Sequence, residues 1–548
     1  MKISKFIGES ATIVSPSLQA ALDKAIASNL AHRIWEEDTT VWASSDFHRR
    51  ENASGSDASQ AEAIRGRLGW LRVPDWSIQH LDEILEFAEG VRQEGFTHVV
   101  VLGMGGSSLC VEVLRDTFGT KAGYPQLLVL DSTHPDQILA TELACDLAKT
   151  LFIVASKSGT TLEPQCYYDY FWERLSGITD DRSRHFAAIT DPGTPLAKLA
   201  SERRFRHTFQ NPPDIGGRYS ALSYFGMVPA ALIGVDISEV LSLAASAASL
   251  SRAEDEVIPA LLLGVFMGDG ALHGRDKLTI VTDPEFSSFG AWAEQLIAES
   301  TGKMGKGILP VEGETARARE EGEPHRLYVH LTFGQEGVSA DERSDPNHLE
   351  LHRMEQAGLG AEFFRWEFAT AVAGSILGIN PFDEPNVAEA KAKTNEVLSN
   401  WDGKSPLVFP NLQQPDKQML QAFLDKEVKE DGYIAIMAYV HRDPASNAAL
   451  QALREQLSVR YHIPVTVGFG PRFLHSTGQL HKGGPPTGTF IQFVDTPHVD
   501  LPIPGKPYSF GTLIRAQAIG DAETLRKHNR PVICMDLGTD TIKSIQSL

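Results

Sequence analysis

The feature that most constrains the fold is a series of short apolar runs, rich in β-branched residues, that alternate with helical patterns. In the first half of the chain these runs are 97–103, 126–131, 150–156 and 185–190. Continuous apolar runs of this length are typical of parallel strands that are buried on both faces. We therefore expect an α/β fold, with one doubly wound parallel sheet domain over residues 60–250.

The same pattern starts again in the second half of the chain. The strand candidates there are 276–283, 325–333, 431–440 and 463–470, and the segment 347–378 between them reads as helical. We predict that residues 251–548 form a second α/β domain with a C-terminal extension. Residues 1–59 are predicted to form a helical N-terminal segment, and the polar run 51–60 a loop.

Length and charge narrow the class of protein. With 548 residues, 42% hydrophobic and 22% charged, the chain has an ordinary globular composition. Its 71 acidic against 50 basic residues give a net charge of −21, which argues against general binding of nucleic acid or of an anionic membrane. No secretory signal is visible, and the longest apolar stretch, 260–268, is far below the roughly 20 residues of a membrane span. We expect a cytoplasmic protein.

The four cysteines are Cys110, Cys145, Cys166 and Cys534. No pair has CxxC spacing, and no Cys/His group has zinc-site spacing, so we expect reduced and mostly buried thiols. His348 and His352 lie four residues apart within the predicted helix, but they lack the HExxH order and a third ligand. We expect no metal there.

The motif GMGGSSL (103–109) directly follows a predicted strand and opens a helix. Its glycines let the backbone approach an anion, and a helix N-terminus presents free N–H groups. A dinucleotide loop is the main alternative, because Asp131 closes the next strand where a ribose-binding acid could lie. The third glycine of that fingerprint is replaced by Ser108. A plain tight turn also stays possible.

The motif SKSGTTLEP (156–164) follows another strand and carries several hydroxyls and an amine. Such a loop suits a terminal phosphate dianion, although an ordinary helix N-cap has similar composition. Two such loops on consecutive strand ends favour a small phosphorylated ligand, because ligands of open α/β sheets bind at the carboxyl ends of strands.

Four further segments contain residue types that support acid–base chemistry. They are IGGRYSALS with Arg218, QLIAESTGK with Glu299, GINPFDEPNVAEAKAKT with Lys391, and FLHSTGQLHKGGP with His475 and His481. A carboxylate at a helix end can act as a general base, and a fixed guanidinium can stabilise a developing oxyanion. Taken one at a time, each of these residues is more often structural.

Taken together, the six motifs resemble the glucose-6-phosphate isomerase family, which is built from two sugar-isomerase (SIS) domains. The resemblance spans about residues 35–520 and is closest to the isomerase portion of proteins that fuse a transaldolase to this isomerase. It implies two SIS-type parallel-sheet sandwich domains. It also implies a reversible aldose–ketose isomerisation of glucose 6-phosphate and fructose 6-phosphate, in glycolysis and gluconeogenesis, without a metal or another cofactor.

The family's roles are carried over position by position. The resemblance implies Glu299 as the base that moves a proton between C2 and C1 through a cis-enediol(ate), and Arg218 as the stabiliser of negative charge on oxygen. Lys391 and His475, rather than His481, would open the sugar ring. The residues that the resemblance assigns to phosphate and substrate binding are Gly106, Ser107, Ser156, Lys157, Ser158, Thr161 and Gln295.

Three departures from the family pattern bear on these expectations. The usual order is base, histidine, lysine, whereas here Lys391 precedes His475. We therefore hypothesise that one chain supplies its own histidine, so that a monomer or a homodimer could be active. Glu384 stands where the family usually has a glutamine, and a carboxylate there is unfavourable unless it is protonated or paired. Gly159 replaces an aromatic position of the phosphate loop.

Three alternatives for function remain at this stage. A dual phosphoglucose/phosphomannose isomerase would use the same catalytic set. A non-catalytic SIS-domain sugar-phosphate sensor would need the phosphate loops but not Glu299. A nicotinamide-dependent dehydrogenase would use the first glycine loop for its cofactor.

Overall fold

The computed structural model describes residues 16–42, 56–252, 258–315, 325–333, 347–353 and 356–548. In this part of the chain the strands form three sheets, and every pairing between named strands is parallel. The α/β fold expected from the apolar runs is therefore confirmed.

The first sheet is built from five strands in the order β2-β1-β3-β4-β5. Its strands are β1 (His98–Leu102), β2 (Gln126–Leu130), β3 (Thr150–Ala155), β4 (Phe186–Thr190) and β5 (His207–Gln210). In the centre of the sheet, Val100 lies opposite Leu128 on one side and Phe152 on the other. The two candidate phosphate loops follow β1 and β3, which are neighbours, so both loops emerge at one edge of the sheet.

The remaining strands form two separate sheets, with orders β7-β6-β8-β9 and β10-β14-β13-β11-β12. The second sheet contains β6 (Lys277–Thr282), β7 (Leu309–Val311), β8 (Arg326–Phe333) and β9 (His348–Arg353). The third sheet contains β10 (Leu412–Gln413), β11 (Tyr433–Tyr439), β12 (Val465–Phe469), β13 (Gly488–Val494) and β14 (Val532–Asp536).

Helices cover the faces of these sheets. In the first half they are α1 (Pro16–Ala27), α2 (Leu30–Trp35), α3 (Ser56–Arg65), α4 (Val73–Gln79), α5 (Leu81–Gln93), α6 (Leu109–Phe118), α7 (Pro135–Leu143), α8 (Leu162–Arg174), α9 (Pro195–Glu202), α10 (Tyr224–Leu232) and α11 (Ile237–Leu250). In the second half they are α12 (Pro259–Leu272), α13 (Phe289–Thr301), α14 (Leu359–Leu377), α15 (Pro385–Ser399), α16 (Lys417–Glu427), α17 (Pro444–Tyr461), α18 (Gly478–Gly483), α19 (Phe510–Lys527) and α20 (Thr541–Gln546).

Helix α14 lies in the largest hydrophobic core and is buried along nearly its whole length. It packs against α11, α12 and α13. Because α13 is itself buried from Phe289 to Thr301 except for one half-buried residue, it cannot move without disturbing this core. A rigid α13 matters for the site, since it carries Glu299.

Several sequence predictions need correction. Residues 56–65 form helix α3, although 51–60 was expected to be a loop, and residues 51–55 lie outside the described part of the chain. Residues 348–353 form strand β9 rather than part of a long helix, so His348 and His352 do not share a helix face. Residues 251–548 contain two separate sheets, which does not test the prediction that they form one domain. The domain boundaries stay a prediction.

Two other expectations can be compared with the structure. All four cysteines are free thiols, and three of them are buried, as predicted. No helix in the described residues is long and apolar enough to cross a membrane.

Candidate active site

The two glycine-containing loops that follow β1 and precede α10 are in direct contact. A side chain on Gly106 would place its Cβ only 1.9 Å from the carbonyl oxygen of Gly217, so only glycine fits. Gly105 has φ +55°, and a Cβ there would lie 2.7 Å from Nε2 of Gln295 and 3.1 Å from the carbonyl oxygen of His475. The first loop therefore meets three of the other predicted site segments.

Helix α13 presents Gln295 and Glu299 one turn apart on the face toward this loop. Nε2 of Gln295 donates to Oε2 of Glu299 at 3.1 Å and to the backbone oxygen of His475 at 2.7 Å. Oε1 of Gln295 is buried and has no hydrogen-bond partner among the described residues, which leaves it for a ligand hydroxyl. Gln295 thus orients the predicted base and ties it to the histidine segment.

Arg218 is buried, with 3% of its surface exposed, and all its nitrogens are engaged. Nη1 lies 3.2 Å from Oε1 of Glu299 and donates to Oε2 of Glu384 at 2.9 Å. Nε donates to Oγ of Ser300 at 2.8 Å, and Nη2 donates to the carbonyl oxygen of Pro381 at 2.8 Å. These bonds hold the guanidinium plane beside the carboxylate of Glu299.

The electrostatics of this pair suit a general base. Burial raises the pKa of Glu299 above its ordinary value, Arg218 lowers it, and the nearby Glu384 raises it again, so the net shift is upward. Burial alone would lower the pKa of Arg218, but Glu299 and Glu384 outweigh it and the net shift is upward. The result is a carboxylate of raised basicity next to a permanently charged guanidinium.

The contact with Arg218 also explains how the protein accommodates a carboxylate at position 384. Burial pushes the pKa of Glu384 up, but Arg218 outweighs it and the net pKa is lowered, so this carboxylate is paired and ionised. Lys303 fixes the same segment, donating from Nζ to the carbonyl oxygen of Asn380 at 2.7 Å and to Oδ1 of Asp383 at 2.6 Å. Burial lowers the pKa of Lys303 to about 8.

The second loop, between β3 and α8, has the form of an anion site. Oγ of Ser156 donates to Oγ1 of Thr161 at 3.1 Å, and Oγ of Ser158 shares a hydrogen bond with Oγ1 of Thr160. Thr161 stands at the N-cap of α8, yet its side chain caps no backbone N–H of the helix. The loop hydroxyls and the N–H groups at the start of α8, where Pro164 supplies none, are the donors that this turn can offer a ligand.

Lys157 and Gly159 complete this loop. Nζ of Lys157 pairs with Asp191 and donates to the carbonyl oxygen of Pro213 at 3.1 Å, so the lysine is held at the rim of the loop. Gly159 has φ +64°, and a Cβ there would lie 2.8 Å from the backbone nitrogen of Leu196. An aromatic residue would not fit this turn, which explains the departure from the family pattern.

His475 lies at the end of a short 3₁₀ turn, Arg472–His475, after β12. Its Nε2 is 3.4 Å from Oε1 of Glu163 on α8, in the same chain. Burial raises the pKa of Glu163, but His475 outweighs it, with help from Lys391, and the net pKa is lowered. Nε2 of Gln517 donates to the same Glu163 oxygen at 2.8 Å, so the carboxylate is fixed between the histidine and α19.

Lys391 lies on α15 and is exposed to solvent. Its charge acts on Glu163, so it lies within electrostatic range of the partner of His475. His481, by contrast, is buried with both ring nitrogens unpartnered among the described residues, and burial lowers its pKa far below the ordinary value. The structure thus brings His475, and not His481, to the other predicted site residues.

Sequence reasoning assigned no role to Glu163, Ser300, Lys303 or Gln517. The first three lie inside the motifs SKSGTTLEP and QLIAESTGK, so their position in these motifs was an available signal. Gln517 lies in α19, and no local pattern marks it. Asp131, considered for a ribose, instead lies 3.4 Å from Nε of Arg472. Among the described residues, no group of three or more His, Cys, Asp or Glu side chains is arranged to hold a metal ion.

Comparison with known proteins finds sequence similarity to one family. Residues 81–316 match the family model described as phosphoglucose isomerase. A probable glucose-6-phosphate isomerase of Methanococcus maripaludis is 27% identical over 382 residues, which is 61% of this chain and 85% of that protein. A glucose-6-phosphate isomerase of Staphylococcus saprophyticus is also 27% identical, over 60% of this chain and 86% of that protein.

Solved structures show the same fold. A hypothetical protein of Thermus thermophilus superposes with a TM-score of 0.58 at 23% identity, over 71% of this chain and all of that one. A glucose-6-phosphate isomerase of Chlamydia trachomatis superposes with a TM-score of 0.54 at 19% identity, over 70% of this chain and 87% of that one. The chain is therefore similar to phosphoglucose isomerases over residues 81–316, and it shares the fold of these solved structures.

Proposed function

We propose that the chain is a glucose-6-phosphate isomerase that interconverts glucose 6-phosphate and fructose 6-phosphate. The observation that carries this proposal is the 3.2 Å contact between Arg218 and Glu299, next to two loops suited to bind phosphate. A base of raised pKa beside a fixed cation is the arrangement that an enediolate mechanism requires.

The phosphate binds in the second loop, to the hydroxyls of Ser156, Ser158 and Thr161, the amine of Lys157 and the N-terminus of α8. The first loop, with Gly106 and Ser107, closes the opposite side. Because this end of the sugar takes no part in bond changes, its binding energy serves to hold C1 and C2 in register with Glu299. Oε1 of Gln295 is free to accept a hydrogen bond from a sugar hydroxyl.

The proton transfer uses Glu299 in both directions. Its carboxylate removes the proton from C2 of the open-chain aldose, and the electron pair forms the C1–C2 double bond of a cis-enediol(ate). The electrons of the C1 carbonyl move to O1, which takes up the hydroxyl proton of O2, and the same carboxyl then returns the carbon-bound proton to C1 as the C2 carbonyl of the ketose forms. Arg218 stabilises the negative charge that develops on oxygen, and its contact with Glu299 lowers the pKa of this base against the upward effect of burial.

Ring opening requires a proton on the ring oxygen and loss of one from the anomeric hydroxyl. We assign this step to His475 and Lys391, which share Glu163 as an electrostatic neighbour. The contact between His475 and Glu163 is made within one chain. It supports a site that is complete in a monomer.

The test is a coupled assay on the purified chain. Fructose 6-phosphate, glucose-6-phosphate dehydrogenase, NADP and EDTA are mixed, and NADPH is followed at its absorbance maximum. A rate proportional to the concentration of the chain is expected. A chain that binds fructose 6-phosphate by calorimetry without any rate would contradict the enzyme and support the sensor. Parallel reactions with mannose 6-phosphate measure the sugar preference.

A further inference from the structure

The proposed ring-opening step needs His475 at a fixed distance from the phosphate loops of the first sheet. His475, however, lies in the loop that follows β12 of the third sheet. We define the histidine loop as residues 470–477, between β12 and α18. We propose that Arg472 is a positioning residue for His475, and that it acts by anchoring the histidine loop to Glu112 and Asp131 beside the first sheet. This inference rests on the proposed function.

The contacts of Arg472 join the loop after β12 of the third sheet to α6 and to the end of β2 of the first sheet. Nη2 pairs with a carboxylate oxygen of Glu112, and Nε lies 3.4 Å from Oδ2 of Asp131. Glu112 lies in the first turn of α6, which begins directly after the first phosphate loop. Asp131 follows β2 directly. One guanidinium therefore links the histidine loop to two elements of the first sheet's unit.

Glu112 receives a second arginine from the third sheet. Nη2 of Arg442, which follows β11, donates to Oε1 of Glu112 at 2.8 Å. The loops after β11 and β12 thus converge on one carboxylate that is itself joined to a phosphate loop. Burial alone would raise the pKa of Glu112, but Arg472 and Arg442 outweigh it, so Glu112 stays ionised.

The anchor is buried, which makes its geometry strict. The exposed fractions are 7% for Glu112, 6% for Asp131 and 9% for Arg472. Charge pairs shielded from water are costly to separate, and a planar guanidinium reaches two carboxylates in directions that a lysine cannot reproduce. The loop is therefore held in one position.

Two weaker contacts and an empty space show why the anchor is needed. The backbone oxygen of His475 accepts a hydrogen bond from Gln295 at 2.7 Å, and Oγ of Ser476 donates to Glu294 at 3.3 Å. A cavity of about 580 Å³, lined in part by Arg472, Phe473 and Ser476, adjoins the loop. Without the ion pairs, the loop has room to shift toward this cavity.

The test measures ring opening separately from binding. In Arg472→Lys, exchange between the α and β anomers of glucose 6-phosphate, followed by exchange NMR, should slow by about 10- to 100-fold, because displacement of a catalytic group by about 1 Å costs this much. The affinity for arabinonate 5-phosphate, an acyclic phosphorylated acid that needs no ring opening, should stay within about twofold of wild type. A structural role alone would not separate these two readouts.

A matched control and a second variant distinguish a positioning role of Arg472 from a general loss of stability. Arg365→Lys disturbs another buried arginine–glutamate pair, with Glu362 on α14 at 2.6 Å, and should leave anomer exchange unchanged. The double variant Arg472→Met with Asp131→Asn removes the arginine and neutralises the buried carboxylate that it faces, while Glu112 keeps Arg442 as its partner, so no buried charge is left unpaired. It should fold and show the same slow anomer exchange.

Several results would overturn the proposal. Normal anomer exchange in Arg472→Lys or in the double variant would show that the ion pair does not position His475. An equal loss of arabinonate 5-phosphate affinity would show a general disturbance of the site. If the wild-type chain itself has no isomerase activity, the proposed function fails instead, so the two failures are distinguishable.

Discussion

Two regions of the molecule build the candidate site in different ways. Residues 98–301 supply the phosphate loops, Arg218 and Glu299, and they lie within the segment matched by the family model. Residues 384–517 lie beyond that match and supply Lys391, His475 and Gln517. In the first region, each loop takes its shape from the strand and helix that flank it. In the second, residues reach the site only through contacts with the first.

This difference explains how segment order can change along the chain. A phosphate loop cannot be moved away from its strand, since the strand end and the helix N-terminus create the binding groups. A histidine, by contrast, needs only to be delivered to Glu163, and the connection between them spans 312 residues. The ring-opening half of the site is therefore free to come from another place in the sequence, provided that the docking is firm.

The largest expected effect comes from replacing the predicted base, Glu299, in the first region. Glu299→Gln keeps the size of the side chain and its neighbours but removes the base, so kcat should fall by about 10²- to 10⁴-fold. The KM for fructose 6-phosphate and the affinity for arabinonate 5-phosphate should change little, as measured by the coupled assay and calorimetry.

The control for this variant is Glu396→Gln, which removes an exposed carboxylate of α15 that pairs only with Lys393 among the described residues. It should have wild-type kinetics. Near-normal kcat in Glu299→Gln would mean that another group removes the C2 proton.

The second region is tested by His475→Gln, which should slow anomer exchange and isomerisation by about 100-fold. Since the contact with Glu163 is made within one chain, mixing the impaired Glu299→Gln and His475→Gln variants should give no more activity than the sum of the two alone. Activity per chain should also stay constant on dilution. Recovery of activity in the mixture would show that a partner subunit supplies the histidine.

The difference between locally encoded loops and residues placed by long-range contacts also determines which features can be predicted from the sequence. Strands β1 to β4 and both phosphate loops were predicted because apolar runs and glycine-rich turns are local signals. Strand β9 was missed because its polar sequence, His348–Arg353, precedes a long buried helix and was read as part of it. Glu163 lay inside a recognised motif, but its role depends on His475, and Gln517 has no local signal. The motifs around Arg218 and Glu299 are weak signals individually, and only the six motifs together predict roles for these two residues.

A smaller effect is expected in the phosphate loop. Thr161→Val removes a hydroxyl that accepts from Ser156 at the N-cap position of α8. The loss of one hydrogen bond to a charged phosphate should raise the KM for fructose 6-phosphate by about tenfold and leave kcat within about twofold. Steady-state kinetics check this, with Thr208→Val on β5 as the control. A fall in kcat at constant KM would place Thr161 in the chemistry rather than in phosphate binding.

The smallest effect concerns the electrostatic influence of Glu384 on the pKa of Glu299, since both carboxylates pair with Arg218. The pKa of Glu299 is raised by burial, lowered by Arg218 and raised by Glu384. Glu384→Gln removes the last contribution and leaves Arg218 with one carboxylate partner fewer, so both changes lower the pKa of Glu299. Because Glu299 acts as a carboxylate, the acid limb of kcat should move to lower pH, by less than about one unit. A pH–kcat profile of the variant beside wild type measures this. A limb that moves to higher pH would show that Glu384 stabilises the ionised base instead of competing with it for Arg218.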